Sequence, residues 1–152
     1  MLAPRGSAQP VQPEDTALYL RIVQDPRVPL TYAAVRTLPP GDNTTEVERT
    51  TLARAAFDRI WRADLTQYDA AVHAGDILAG LPAPTLLAVR DDLFRLAHDR
   101  DRRWWSRRLL TRLADFGPDG AAELAFLIRD ADRAAKGDTW HHPYLAGIIG
   151  LC

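Results

Sequence analysis

DRDRRWWSRRLLTRLADFGP, residues 99–118, is the stretch from which the fold of this chain is read. At 100° per residue, Trp105, Leu109, Leu113 and Phe116 share one face, and Trp104, Arg107, Arg108 and Thr111 share the opposite one. The pattern predicts a helix over about 101–116 with an apolar inner side and an arginine-rich outer side. Gly117-Pro118 follows as a stop, because glycine accepts a left-handed turn and proline cannot continue a helix.

Working outward, the same punctuation recurs. Pro and Gly cluster between segments of helical period, and no segment alternates with period 2 over a useful length. Toward the N-terminus, a helix is expected over about 84–98 with Leu86, Val89, Leu93 and Leu96 inside. Another is expected over about 66–80 with Ala71, Val72, Gly75 and Leu78. A third, over about 46–63, carries Leu52, Ala56, Phe57, Ile60 and Trp61. Thr45 is placed as its N-cap, with Glu48 three residues on completing a capping box. Earlier still come a short helix from Pro29 with Ala34, Val35 and Leu38 inside, and one over about 14–24 with Leu18, Ile22 and Val23. Toward the C-terminus, a helix over about 119–135 carries Leu124, Leu127, Ile128 and Ala131, and a last one begins near His142-Pro143.

These segments pair into a repeat. The acidic residue before each second helix, Asp25, Asp64, Asp99 and Asp138, recurs at spacings of 39, 35 and 39. An apolar residue late in each second helix, Leu38, Leu78, Leu113 and Leu151, recurs at 40, 35 and 38. Two markers with one period predict stacked helical hairpins. Asp25-Pro26-Arg27-Val28 followed by Ala34-Val35-Arg36-Thr37-Leu38 resembles the HEAT and armadillo-like repeat pattern. Arg107-Arg108-Leu109-Leu110 with Leu113-Ala114-Asp115-Phe116-Gly117 resembles the same second helix and its stop. The second unit, Ala63-Asp64-Leu65, lacks the proline, and the fourth departs at Thr139-Trp140-His141-His142-Pro143. The resemblance implies an all-α superhelix, a solenoid of about four antiparallel hairpins: 14–41, 44–82, 84–117 and 119–152, after a Pro-rich lead-in over 1–13.

Composition narrows the function classes. The chain has 152 residues, 47% of them apolar, enough for a sizeable core. Nineteen Lys and Arg stand against twenty Asp and Glu, which argues against a generic polyanion binder. Cys152 is the sole cysteine, so no internal disulfide forms. No apolar run reaches the ~18 residues a membrane span needs, and the N-terminus lacks the apolar core of a secretory signal. The default setting is the bacterial cytoplasm, with a soluble domain tethered to a membrane protein as the other reading. The run Leu145–Cys152 is apolar on almost every side, whereas terminal repeats normally present a polar outer face. It is the pattern expected of a segment of a longer array, or of self-association through that helix.

The arginines Arg100, Arg102, Arg103, Arg107, Arg108 and Arg112 around Trp104 and Trp105 invite a binding reading for phosphate, nucleic acid or an acidic partner. The plainer reading is an exposed helix with Asp99, Asp101 and Asp115 offsetting its charge. In arrays of the kind the chain resembles, the second helices line the concave side. The repeat register then brings Arg36, His73, Asp76, Trp104, Arg107 and Arg108 to one groove, whose mixed charge suits a polypeptide partner or another domain of the same chain. His141 and His142 diverge by about 100° on a helix, and no His-x-x-x-His or Cys pair exists, so neither metal nor cofactor is expected. His98 reads as a helix-terminal cation, and Asp91-Asp92 and Asp130/Asp132 read as solvated faces. No phosphate loop, dinucleotide fingerprint or nucleophile elbow is present. The expectation is a noncatalytic scaffold for protein–protein contact. The alternative is a nucleic-acid binder, including a DNA-glycosylase-like enzyme, since such enzymes use HEAT-like repeats with Trp, Asp and Arg in the groove. Trp61 with Asp64, and Trp104 with Arg108, are the residues that reading would use.

Overall fold

The computed structural model describes residues 13–30 and 44–137, except the side chains at 13–16, 65, 104 and 134–137. Every regular element among these residues is helical. The helix expected from Pro29 does not begin there, since Pro29 and Leu30 are not helical; its remainder, the turn at Asp42-Asn43, the last helix with its apolar end, and residues 1–12 of the lead-in lie outside the described residues.

Helix α1 spans Pro13–Gln24. It buries Tyr19 and Val23, with Leu20 and Ile22 partly covered. Leu18, expected inside, is instead 47% exposed, because Tyr19 and Val23, four apart, set the stripe. Helix α2, Glu46–Arg62, starts as its sequence demands: Glu48 N donates to Thr45 Oγ1 at 3.2 Å and Thr45 N donates to Glu48 Oε2 at 2.7 Å. Leu52, Ala53, Ala56, Phe57 and Ile60 form its buried face. Asp64 then caps a 3-10 turn, Leu65–Gln67, that leads into α3, Tyr68–Ala79.

The expected helix over 84–98 is two helices, α4 (Ala83–Leu87) and α5 (Arg90–His98). Between them Val89 leaves helical geometry at φ −122°, ψ 25°, and hydrogen bonds of the shorter 3-10 span run from Ala88 N to Thr85 O and from Val89 N to Leu86 O. The break keeps Leu86, Val89, Leu93 and Leu96 all buried. The expected helix over 101–116 is likewise corrected, to a 3-10 turn Arg103–Ser106, a single α turn α6 (Arg107–Leu110) and a 3-10 segment Thr111–Phe116. Its inward residues recur in threes: Arg103, Ser106 and Leu109, then Leu110, Leu113 and Phe116. A 3-10 helix aligns i and i+3 on one side, whereas an α-helix drifts. Gly117 makes the stop with φ +62°, and α7, Gly117–Gly137, follows at once.

The apolar interior is one cluster running from Tyr19 to Leu127, with a smaller one of Ala63, Ala71 and Trp105 beside α3. α2 packs against α1, α3 and α4; α3 packs against 103–106 and α6; α4 meets 111–116; α5 meets α7 and 103–106; and α7 meets 111–116. Where α3 crosses the 103–106 turn the approach is close, since a Cβ on Gly75 would stand 3.0 Å from Ser106 Oγ.

Candidate functional site

Of the six residues expected in the groove, Arg36 lies outside the described residues, and Trp104 is placed in the 3-10 turn Arg103–Ser106 without a described side chain. The other four sit on two adjoining elements, His73 and Asp76 on α3 and Arg107 and Arg108 on α6. The structure joins two of them directly: Arg108 Nη1 donates to Asp76 Oδ1 at 3.3 Å. Arg108 is 79% exposed and Asp76 is 21% exposed. Such a pair is worth less than about 1 kcal/mol and is readily exchanged for another partner.

The arginine cluster does not form one patch. Arg103 is buried and pairs with Asp130, and Arg100 reaches the same carboxylate at 3.5 Å. Arg102 binds Asp99 at 3.1 Å. Arg112 donates to Asp115 at 2.6 Å and to the carbonyls of Ala79 and Leu81 at 2.7 Å each, closing the C-terminus of α3. Asp130 is therefore no solvated face. Desolvation raises its pKa, but the hydrogen bond from Arg103 and the charges of Arg103, Arg100 and Arg133 outweigh it and hold the carboxyl below its usual range. Asp92 is likewise engaged, accepting from Trp61 Nε1 at 3.2 Å, with Arg95 4.4 Å over the same indole ring. Asp64 is exposed and accepts from Thr66 N, Thr66 Oγ1 and Gln67 N, so it is a capping residue and not an acid held beside Trp61. His98 stacks on Phe126 at 4.5 Å and meets Glu123 at 2.7 Å, tying the end of α5 to α7.

One arginine of functional interest was not singled out by motif. Arg59 is buried on α2 and donates to five backbone carbonyls. Nε bonds Val23 O at 2.8 Å, and Nη2 bonds Ile22 O at 2.8 Å and Val28 O at 2.9 Å. Pro26 O at 3.3 Å and Asp25 O complete the set. These are the end of α1 and the loop after it, where helical carbonyls lack intrahelical donors. Burial lowers the Arg59 pKa, with the charges of Asp25 and Asp58 opposing. A readable signal existed: Leu52, Ala56, Arg59 and Ala63 share a helix face, so this arginine interrupts an apolar stripe.

Beside Arg59 opens a cleft of about 480 Å³ between the loop 26–30, the end of α2 and the first turns of α3. Arg27, Arg59, Arg62, Asp69 and His73 are its titratable lining, with Pro26, Val28, Pro29, Leu30 and Ala70 as its apolar walls. Arg27 is tied to Asp25, whose carboxyl the guanidinium hydrogen bond lowers to about 2. Arg62 is held by Asp58 at 3.0 Å, both more than half exposed. His73 thus belongs to the cleft, one helical turn before Asp76, and the two features adjoin along α3. Among the described residues no group of three or more His, Cys, Asp or Glu is arranged to hold a metal, and no helix is long and apolar enough to cross a membrane. No protein-family model, curated protein or solved structure matches the chain.

Proposed function

We propose that this chain is a noncatalytic helical-repeat scaffold of the HEAT-like kind, an α-solenoid of about four hairpins that binds a polypeptide partner, or another domain of its own chain, along its second helices. The observation that carries this reading is the Asp76–Arg108 contact, a pair of opposite charges, Arg108 largely and Asp76 partly exposed, that bridges α3 and α6. It sits on the polar outer side of α3 and α6, which also present His73 and Arg107. Mixed charge of this kind offers complementary contacts to a protein surface and steers its approach. A phosphate backbone instead needs a run of free cations. Five of the six clustered arginines, Arg100, Arg102, Arg103, Arg108 and Arg112, already donate to carboxylates or carbonyls.

The neighbour relations support the solenoid. Each described helix makes its main contacts within its own hairpin or with the next one: α1 with α2, α2 with α3 and α4, α3 with the 103–110 segment, and α5 with α7. Bridges across successive units recur as well, from Arg59 to the end of α1 and from Arg112 to the end of α3.

The test is a photo-crosslinking residue placed at Arg107, with one at Arg54 on the outer side of α2 as the control, in the native host. The expected result is a protein adduct from position 107 alone, resistant to nuclease. Arg108→Ala is expected to lower its yield about two- to five-fold, with the melting temperature unchanged. Equal labelling from both positions would overturn the reading. Nuclease-sensitive adducts that fade steeply with salt would favour the nucleic-acid alternative and direct assays to DNA.

A further inference from the structure

We propose that the cleft beside Arg59 is a peptide pocket for a carboxylate-bearing residue next to an aliphatic one, with Arg62 as the exchangeable cation that receives the carboxylate. The inference rests on the scaffold reading and names the chemistry of part of its partner. Three features of the cleft select this ligand.

First, the charge at its base has no ionic partner in contact among the described residues. The bonds made by the Arg59 guanidinium go to neutral carbonyls of residues 22, 23, 25, 26 and 28. They hold the side chain in place without cancelling its charge, and partial burial strengthens that charge's field in the cleft. Second, the loop wall offers few free backbone donors or acceptors. Pro26 and Val28 turn their carbonyls to Arg59, and Pro26 and Pro29 carry no amide hydrogen. Apart from Arg27, which is tied to Asp25, the side chains on that wall are apolar, matched across the cleft by Ala70. An anionic group beside an aliphatic one satisfies both parts.

Third, the cation at the rim is easily recruited. Arg62 Nε reaches Asp58 one turn earlier on the same helix, with side chains 66% and 51% exposed. An exposed i,i+4 pair of this kind contributes only a few tenths of a kcal/mol, whereas a bidentate carboxylate in a partly dry cleft makes stronger, charge-assisted bonds. Asp69, the one carboxylate of the lining, repels the doubly charged form of free phosphate more strongly than a singly charged carboxylate. The volume, about 480 Å³, lies within the range of small-ligand pockets and accommodates a few side chains.

The experiment is selection of a random short-peptide phage library on the immobilised full chain, followed by binding of the recovered peptides to Arg62→Gln. Recovered peptides should carry Glu or Asp beside Leu, Ile or Val. Replacing that acid by its amide should weaken binding about tenfold, and Arg62→Gln should do the same with unchanged thermal stability. The proposal falls if no peptide is recovered, if acidic residues are not enriched, or if Arg62→Gln binds equally well. It also falls if excess inorganic phosphate displaces the peptides, which would mark a simple anion site. The adduct at position 107 reads the α3–α6 face separately. Loss of the peptide result with that adduct intact removes this inference and leaves the scaffold reading standing.

Discussion

Arg59 shows how one side chain can shape an inter-helix junction. Its guanidinium replaces the donors that the last carbonyls of α1 lack, and it fixes the loop from Asp25 to Val28 in the same act. Hydrogen bonds to a charged group are worth about 1.5–3 kcal/mol each, but the outer carbonyls here recover part of that from water when the donor is removed. Arg59→Met keeps the length and apolar stem while deleting every donor. It is expected to lower unfolding free energy by about 2–4 kcal/mol in urea titration. Arg59→Lys should restore less than half of that, because an ammonium is a point donor and cannot span five carbonyls. A loss below about 0.5 kcal/mol in Arg59→Met would mean that water already serves these carbonyls.

At the scale of elements, the 103–116 segment trades helical regularity for packing. Winding in threes sends Arg103 to Asp130, sets Ser106 under Gly75 and buries Leu109 and Leu113. Trp105 fills the small cluster with Ala63 and Ala71 and meets Tyr68 edge-on at 6.2 Å. Trp105→Ala should therefore cost about 3–5 kcal/mol, read from the urea midpoint, since neighbours as small as alanine cannot collapse into the space. What the sequence made legible follows the same physics. Local chemistry was readable: the Thr45/Glu48 capping box, the Gly117 stop and the apolar stripes of α2 and α7 each depend on residues within a turn or two. The break at Val89 was not, because Ala88-Val89-Arg90 contains no glycine or proline, and the break answers to packing on α2 and 111–116. Asp130 looked solvated for the same reason: its partners Arg103 and Arg100 are 27 and 30 residues away. At the candidate site, the register placed Asp76 and Arg108 on adjoining elements, and they meet. The cleft was invisible, since it joins the loop after α1 to the start of α3 across a long separation in the chain.

At the scale of the molecule, two readings of the same interior compete. One contiguous apolar cluster from Tyr19 to Leu127 is what a single cooperative bundle would have. Contacts confined to neighbouring hairpins are what a solenoid would have, and there stability is close to a sum of unit and interface terms. The two differ in how damage spreads. Leu127 is buried on α7, which packs on 111–116 and α5, and α1 and α2 lie beyond them. Leu127→Ala leaves a cavity worth about 2–5 kcal/mol. In a solenoid, native-state hydrogen exchange should then quicken over 90–98 and 111–137, while amides of 13–24 and 46–62 keep most of their protection, because the opening is local. A bundle would lose protection evenly, all helices exchanging through one global unfolding event. Uneven loss would also fit the proposed binding face on α3 and α6, which could then adjust to a partner without disturbing the α1–α2 pair that Arg59 holds together.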